Sequence, residues 1–301
     1  MFDLHLKKIA KEKLRGIYRG AFLGQLVCYI PAYLISLVIM LLAIKNNNVL
    51  ATLAVGFIGE IFVLDIFSVG YIRSLIEADG KPQTDEKRYD INTVLSGFSE
   101  NYTGTLKTMF LRRLYLFGWS VLMFLPMIIA VGVIAFLSYR PEISQVINYM
   151  MQINESPTID MMINTGNYMA QNCAYVIYIF GGALLLSIVL AIPYVRKVYL
   201  YEMIPMIIAE SPEITSEESF DKTKEIMNGY RLKYFLLEIS FIGILVLVEF
   251  VGMLVPQSPL IYIAMALAYP YIIMTFVQFY LSRTRVETEE ITPENKTETD
   301  K

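Results

Sequence analysis

Three acidic residues lie inside long apolar stretches of the sequence, where a carboxylate is costly. Glu60 and Asp65 fall within the apolar segment 49–72, and Glu249 falls within the apolar segment 236–255. An acidic side chain at mid-bilayer costs about 2.5–3.5 kcal/mol on insertion scales, which makes it a candidate for function. The sequence places no Lys or Arg at a matching depth. The three residues are therefore candidates for an intramembrane polar site that binds a proton or a cation, or for protonated carboxyls that hydrogen-bond a neighbouring helix.

The spacing of two of these acids limits how they can act together. Glu60 and Asp65 are five residues apart, which is about 140° around a regular helix at roughly 100° per residue. Side chains that far apart reach one small site only if the helix bends. The sequence alone leaves open whether they form one site.

The motifs of the common hydrolytic enzymes are absent from the sequence. His5 is the single histidine, and there is no HExxH zinc motif, no GxxxxGK[ST] phosphate loop and no GxSxG nucleophile elbow. Two cysteines, Cys28 and Cys173, are too few for a disulfide framework and lack metal-ligand spacing. We therefore expect a protein that is not an enzyme, without a metal or a cofactor. The net charge of −3 gives no reason to expect a nucleic-acid partner.

The elements that must position the acids are long apolar segments. Apolar residues make up 55% of the 301 residues, and the mean hydropathy is +0.50. A helix needs about 20 apolar residues to cross the hydrocarbon core, and isolated strands would leave backbone groups unpaired in lipid. The sequence therefore predicts an all-α protein with six transmembrane spans. The expected spans are residues 21–44, 49–72, 114–137, 173–195, 236–255 and 260–281.

Lys and Arg are concentrated on one side of the six expected spans. Only Lys45 and Arg140, of 25 such residues, fall in the connections on the other side. Positive residues favour the cytosolic side, so we expect both termini to be cytosolic. The expected organisation is a cytosolic basic amphipathic segment at 1–19, a six-helix membrane domain at 20–285 and an acidic disordered cytosolic tail at 286–301.

One pattern of an amphipathic stretch followed by two spans occurs three times along the chain. An amphipathic stretch precedes each span that leaves the cytosol, and each returning span carries Gly or Pro followed by Tyr, at Gly70, Pro193 and Pro270. This predicts three parallel repeats of an amphipathic helix plus a helical hairpin; the alternative is shared interface chemistry without common ancestry. The first stretch carries candidate lipid-facing cations, because basic amphipathic helices lie at anionic headgroups. These cations are Lys7, Lys8, Lys11, Lys13 and Arg15.

Small residues recur every four positions at the start of the first span. Such spacing lets another helix approach closely, so the stripe is a candidate helix-packing face. The partner is either another helix of the same chain or a second copy of the chain. The residues are Gly16, Gly20, Gly24, Cys28 and Ala32.

The third amphipathic stretch and the last hairpin carry a family resemblance. The residues concerned are Ser219-Phe220, Lys224 to Gly229, Tyr234 to Gly243, Tyr269-Pro270-Tyr271 and Phe279-Tyr280. Together they resemble an uncharacterised bacterial integral-membrane family called domain of unknown function 975. The resemblance is good over residues 195–285 and weaker around Gly97-Phe98 and Trp119 to Pro126. It implies a multi-pass protein of the bacterial plasma membrane and transfers no catalytic residue.

Two functional hypotheses follow. The first is a non-enzymatic membrane component whose basic helices engage lipid and whose small-residue faces engage other membrane proteins or a second copy. The alternative is a small-solute transporter, or a proton or cation transporter, that uses Glu60, Asp65 and Glu249.

Overall fold

The computed structural model describes residues 2–46, 49–82, 88–137, 140–155, 158–254 and 260–290. These residues form α-helices, one π-helical turn and one 3₁₀ helix, and no strand is found among them, which confirms the all-α prediction. The helices of the first half are α1 Phe2–Leu14, α2 Tyr18–Asn46, α3 Val49–Gly59, the π-turn Glu60–Leu64, α4 Asp65–Gly80, the 3₁₀ helix Ile91–Phe98 and α5 Tyr102–Phe136. Those of the second half are α6 Pro141–Glu155, α7 Ile159–Asn172, α8 Ala174–Tyr201, α9 Ile204–Glu210, α10 Ser216–Ile226, α11 Arg231–Ile239, α12 Ile242–Leu254 and α13 Leu260–Glu290.

Within the described residues, five helical stretches are long and apolar enough to cross a membrane. They are Tyr18–Leu42, Thr52–Gly80, Tyr102–Phe136, Ala174–Glu210 and Leu260–Arg285. The chain is therefore a multi-pass helical protein of the membrane type. Most of these stretches extend beyond the apolar segments read from the sequence, because their polar ends continue the same helices. The last helix runs to Glu290, and the remainder of the expected tail, 291–301, lies outside the described residues.

The expected span at 236–255 is divided between two helices, α11 and α12. The second has 13 residues, about 20 Å at 1.5 Å per residue, whereas the hydrocarbon core is about 30 Å thick. The helix is interrupted at Ser240, where the Phe241 N–H donates to the Glu238 carbonyl over 2.9 Å. The Ser240 carbonyl accepts instead from Lys7 Nζ at 3.0 Å. A lysine from the other end of the chain thus satisfies the backbone group that the break frees.

The chain forms two compact units, of which the larger comprises Met1–Arg113 and Tyr199–Lys301. Its core surrounds α4, whose Ile66, Val69 and Leu75 are fully buried. The 3₁₀ helix crosses α4 at a very short distance, since a Cβ built on Gly70 would lie 2.1 Å from the Val94 carbonyl oxygen. Only glycine permits this approach of two backbones.

The short amphipathic helices of this larger unit each pack on a long or returning helix. The first, α1, packs on α13, the 3₁₀ helix packs on α4, and α10 packs on α9, the continuation of α8. The N-terminus of α10 is held by a capping box in which Thr215 and Glu218 exchange hydrogen bonds. These bonds lower the pKa of the Glu218 carboxyl.

The smaller unit is Leu114–Val198. In it α6 packs on α7, where Tyr168 Oη donates to the Gln145 side chain over 2.7 Å. Val146, Cys173 and Val176 form a small buried apolar cluster beneath these helices. Both helices fall in the 138–172 connection of the sequence, so that connection is mostly helical.

Candidate functional site

Glu60 and Asp65 lie at the two ends of the π-turn. The Asp65 backbone N–H donates to the Glu60 carbonyl, a bond five residues long instead of four. In that geometry the later residue sits above the earlier one on the same side of the helix. The π-turn therefore supplies the distortion that a regular helix lacks, and both carboxylates point the same way.

Both carboxylates bind one guanidinium, that of Arg113 in α5. Arg113 Nε and Nη2 donate to the two carboxylate oxygens of Asp65 at 2.6 and 2.7 Å. Arg113 Nη2 also lies 3.1 Å from Glu60 Oε1. The paired, two-point geometry with Asp65 is the strongest form that such an ion pair takes.

The absence of a matching cation, inferred from the sequence, is therefore wrong. Arg113 precedes the apolar run that begins at Leu114 and therefore falls outside the expected span 114–137. In the structure α5 begins at Tyr102, so Arg113 lies within a long helix and reaches the acids. A long arginine side chain also extends well beyond its own backbone position.

The three side chains differ in exposure, which limits their chemistry. Asp65 is 9% exposed, Arg113 25% and Glu60 51%. Asp65 has both oxygens occupied by one arginine, so it serves as a fixed anchor between the π-turn and α5. The Glu60 side chain is half exposed, and Glu60 is the member of this triad that can accept another ligand.

Glu249, the third expected member of the polar site, lies elsewhere. It is exposed on α12, and among the described residues no hydrogen bond or ion pair joins it to Glu60 or Asp65. The structure therefore brings two of the three acids together and leaves the third apart.

The small-residue stripe of α2 packs inside the chain. A Cβ built on Gly20 would lie 2.7 Å from the ring of Tyr89, and one on Gly24 would lie 2.0 Å from its hydroxyl. Cys28 is buried, with its Sγ 3.7 Å from the Phe67 carbonyl oxygen. The first member, Gly16, has φ +89° and forms the turn between α1 and α2, while Ala32 is half-buried. Intramolecular packing thus accounts for the central part of the stripe.

We expect Gly24→Ala to destabilise the protein by about 1–3 kcal/mol, the usual cost of overpacking. The added methyl group would displace Tyr89 and break its hydrogen bond with Ser74 Oγ, now 3.0 Å. Thermal unfolding in detergent measures the effect, and light scattering measures the mass. A variant with unchanged stability that changes from dimer to monomer would instead identify the stripe as an interface between copies.

The basic residues of α1 divide into two groups. Lys13 Nζ pairs with Asp79 at 2.9 Å, and Lys7 contacts the Ser240 carbonyl and the Phe241 ring, so these two cations point into the protein. The other three expected lipid-facing cations are exposed: Lys8, Lys11 and Arg15.

The chain matches the family model described as Protein of unknown function (DUF975) over residues 1–287. The chain belongs to this family. The match covers the polar triad, the small-residue stripe and all of the amphipathic helices. No curated protein and no solved structure matches the chain.

Among the described residues, the most buried acid of this DUF975 protein is Asp79, which no sequence pattern singled out. The Asp79 side chain is fully buried and binds Lys13, Arg285 at 3.0 Å and Gln278 Nε2 at 2.9 Å. It thus ties together α1, the end of α4 and α13. Asp79 stands just before Gly80, the last residue of α4, and only the pairing of distant cations could have identified it.

A second buried polar link in this DUF975 protein is Arg73 of α4. Its Nε donates to the Ala209 carbonyl at 3.0 Å, and its Nη1 pairs with Glu100 at 2.7 Å. The bonds join α4 to α9 and to the segment before α5. Positive charge at the end of a span was expected from the orientation rule, but its burial was not.

Proposed function

We propose that this chain is a six-span, non-enzymatic component of the bacterial plasma membrane, with both termini cytosolic. It would engage lipid at its cytosolic helices and other membrane proteins, or a second copy, at its apolar spans. The observation that carries the topology is the carboxylate of Asp79. It binds Lys13, which precedes the first span, and Arg285, which follows the last. Residues on the two ends of the chain that share one carboxylate lie on the same side of a membrane, which requires an even number of crossings.

Contacts between the middle connections support the same count. Thr108 Oγ1 lies 2.8 Å from Ser216 Oγ, and Arg112 Nε donates to the Tyr201 carbonyl at 3.0 Å. These contacts join the start of α5 to the end of α8 and to the start of α10. The proposal has the chain leave and return between α10 and Arg285, with α12 as the sixth crossing despite its short length.

Three tandem repeats are supported by the backbone. Among the described residues, positive φ angles outside the helices occur at Gly16, Asn101 and Gly229, at +89°, +46° and +73°. Each residue lies between a short amphipathic helix and the helix that follows it. Left-handed backbone at these junctions suits Gly and Asn, the residues that adopt it most readily. A left-handed residue at the same junction in all three repeats favours common ancestry over shared interface chemistry.

The packing order supports the repeats as well. The amphipathic helix of the second repeat packs on the returning span of the first repeat. The amphipathic helix of the third repeat packs on the returning span of the second, and that of the first repeat packs on the returning span of the third. These helices are the 3₁₀ helix on α4, α10 on α9, and α1 on α13. The order of these contacts is cyclic, as three equivalent repeats would produce.

Lipid and partner contact is supported by the long spans. Only 6% of the apolar window of Tyr102–Phe136 and 11% of that of Ala174–Glu210 is buried within the chain. Apolar surface of this extent is stable only against lipid tails or other transmembrane helices.

The second candidate function is transport of a proton or a cation. It is favoured by the half-exposed carboxyl of Glu60 and by the π-turn, because such turns are frequent at functional sites. Against it, the Arg113 guanidinium already neutralises Asp65 in a two-point pair. We therefore rank it second.

A flux assay in proteoliposomes separates the two candidates. We expect proton and potassium flux equal to that of protein-free vesicles, for the native chain and for Glu60→Gln/Asp65→Asn/Glu249→Gln alike. The matched control removes three exposed acids outside the spans: Glu213→Gln/Glu217→Gln/Glu225→Gln. A flux that the intramembrane triple variant loses and the control keeps would overturn the proposal in favour of transport.

A further inference from the structure

A cavity of about 800 Å³ lies beside α1 and α13, and its lining combines cations with aromatic side chains. Lys8, Lys11 and Arg15 supply the cations, and Tyr18 and Tyr271 supply the aromatic wall. A pocket of this composition, next to the point where a span begins, suits a ligand with an anionic head and an apolar body.

Two of the three cations share one face of α1. Lys8 and Lys11 are about 60° apart at roughly 100° per residue, and Arg15 directly follows Leu14, the last residue of α1. The neighbouring face is buried, with Leu6, Ala10 and Leu14 at most 4% exposed. Because that face is packed and the flanking cations of α1 are already bonded to the protein, the helix cannot rotate. The cations of the cavity are therefore held toward it.

The described residues that line the cavity do not balance its charge. Among the described residues no ion pair involves Lys8, Lys11 or Arg15. One carboxylate, Glu12, lines the same cavity. Three cations against one anion leave two positive charges for a ligand to neutralise.

The tyrosines beside the cavity suit the level of the lipid headgroups. Tyr18 begins α2, the first span, and its hydroxyl donates to the Leu267 carbonyl within the last span. Tyrosine is enriched where a span meets the polar headgroups. An anion bound here would lie beside the apolar surface of two spans, where acyl chains run.

We propose that this cavity binds a phospholipid headgroup that carries two negative charges. The phosphates contact Lys8, Lys11 and Arg15, and the acyl chains run along Tyr18 and Tyr271. The inference rests on the proposed function in one respect, that α1 faces the inner leaflet. It goes beyond general attraction to anionic membrane, because it names one site and a headgroup of two charges.

The test uses the full-length protein in uncharged detergent and a cardiolipin with a fluorescent label on one acyl chain. Fluorescence anisotropy gives its affinity, and unlabelled cardiolipin, phosphatidylglycerol, phosphatidylcholine and inorganic phosphate compete. We expect cardiolipin to compete at least tenfold better than phosphatidylglycerol at equal total charge, and phosphatidylcholine and inorganic phosphate not to compete.

Variants locate the site. Lys8→Gln/Lys11→Gln/Arg15→Gln is expected to weaken cardiolipin binding roughly hundredfold, since each cation near the surface contributes about fivefold. The control also removes three cations, of which Lys107 and Lys233 are exposed and Lys81 is half-buried, and it is expected to stay within about threefold: Lys81→Gln/Lys107→Gln/Lys233→Gln. Glu12→Gln is expected to tighten binding about fivefold, an effect that misfolding cannot produce.

Two results would overturn the cavity site alone. One is equal affinity of the triple variant and its control, with no preference for two charges; general leaflet attraction, part of the proposed function, would then stand without this cavity. The other is displacement by inorganic phosphate at the concentration of the lipid, which would make the ligand a soluble anion. No binding of any anionic lipid would overturn both the cavity and the proposed lipid role.

Discussion

Replacing Arg113 by leucine is expected to lower the free energy of unfolding by about 3–5 kcal/mol, the usual cost of removing one partner of a buried ion pair. The change leaves the Asp65 carboxylate, 9% exposed, without the two hydrogen bonds that now satisfy it. A charge in an apolar setting is costly unless it is paired. Denaturation by SDS in mixed micelles, followed by circular dichroism, measures the loss.

Two further variants separate the ion pair from general damage to α5. The double variant Asp65→Leu/Arg113→Leu is expected to recover most of the loss, because neither charge remains unpaired. Lys107→Leu removes an exposed cation from the same helix and should change stability by no more than about 0.5 kcal/mol. A double variant that is as unstable as the sum of the single variants would contradict the pairing.

Gly70→Ala is expected to be the most damaging change of a single methyl group, at about 3 kcal/mol, the upper end of overpacking costs. The new Cβ would lie 2.1 Å from the Val94 carbonyl oxygen and 2.8 Å from its carbon. Both are backbone atoms, so the 3₁₀ helix must move away from α4. That movement would also disturb Gly97, where an added Cβ would lie 2.6 Å from the Ile66 carbonyl oxygen.

The matched controls are Gly118→Ala and Gly181→Ala. Both glycines lie within long helices, and an added Cβ would meet nothing within 4 Å. Alanine has the higher helix propensity, so these variants should be unchanged or more stable by up to about 1 kcal/mol. Thermal unfolding of all three variants in one detergent makes the comparison. Equal melting temperatures would show that α4 and the 3₁₀ helix are not in close backbone contact.

The apolar segments could be predicted from the sequence because span length is fixed by the bilayer. The ends of the helices could not be predicted, because a polar residue such as Arg113 is equally typical of a loop and of the last turn of a longer helix. The joint orientation of Glu60 and Asp65 was also beyond the sequence. A π-turn carries no residue signature of its own, and its formation depends on contacts with other helices.

The stripe on α2 shows a similar limit. Small residues every fourth position correctly predicted a close approach at Gly20 and Gly24. Their partner is Tyr89, in a short segment without helical periodicity, and nothing in the pattern pointed to it. The role of Asp79 could not be predicted either, because its partners Lys13 and Arg285 lie near opposite ends of the chain.

The six-span topology is tested most directly by cysteine accessibility in a Cys28→Ala/Cys173→Ala background. A membrane-impermeant maleimide is applied to intact spheroplasts and, separately, to inside-out vesicles. We expect Lys8→Cys and Lys301→Cys to react only in the vesicles, and Met151→Cys and Ser258→Cys to react only in spheroplasts. Reaction of Lys8→Cys and Lys301→Cys from opposite sides would mean an odd number of crossings and would contradict the account.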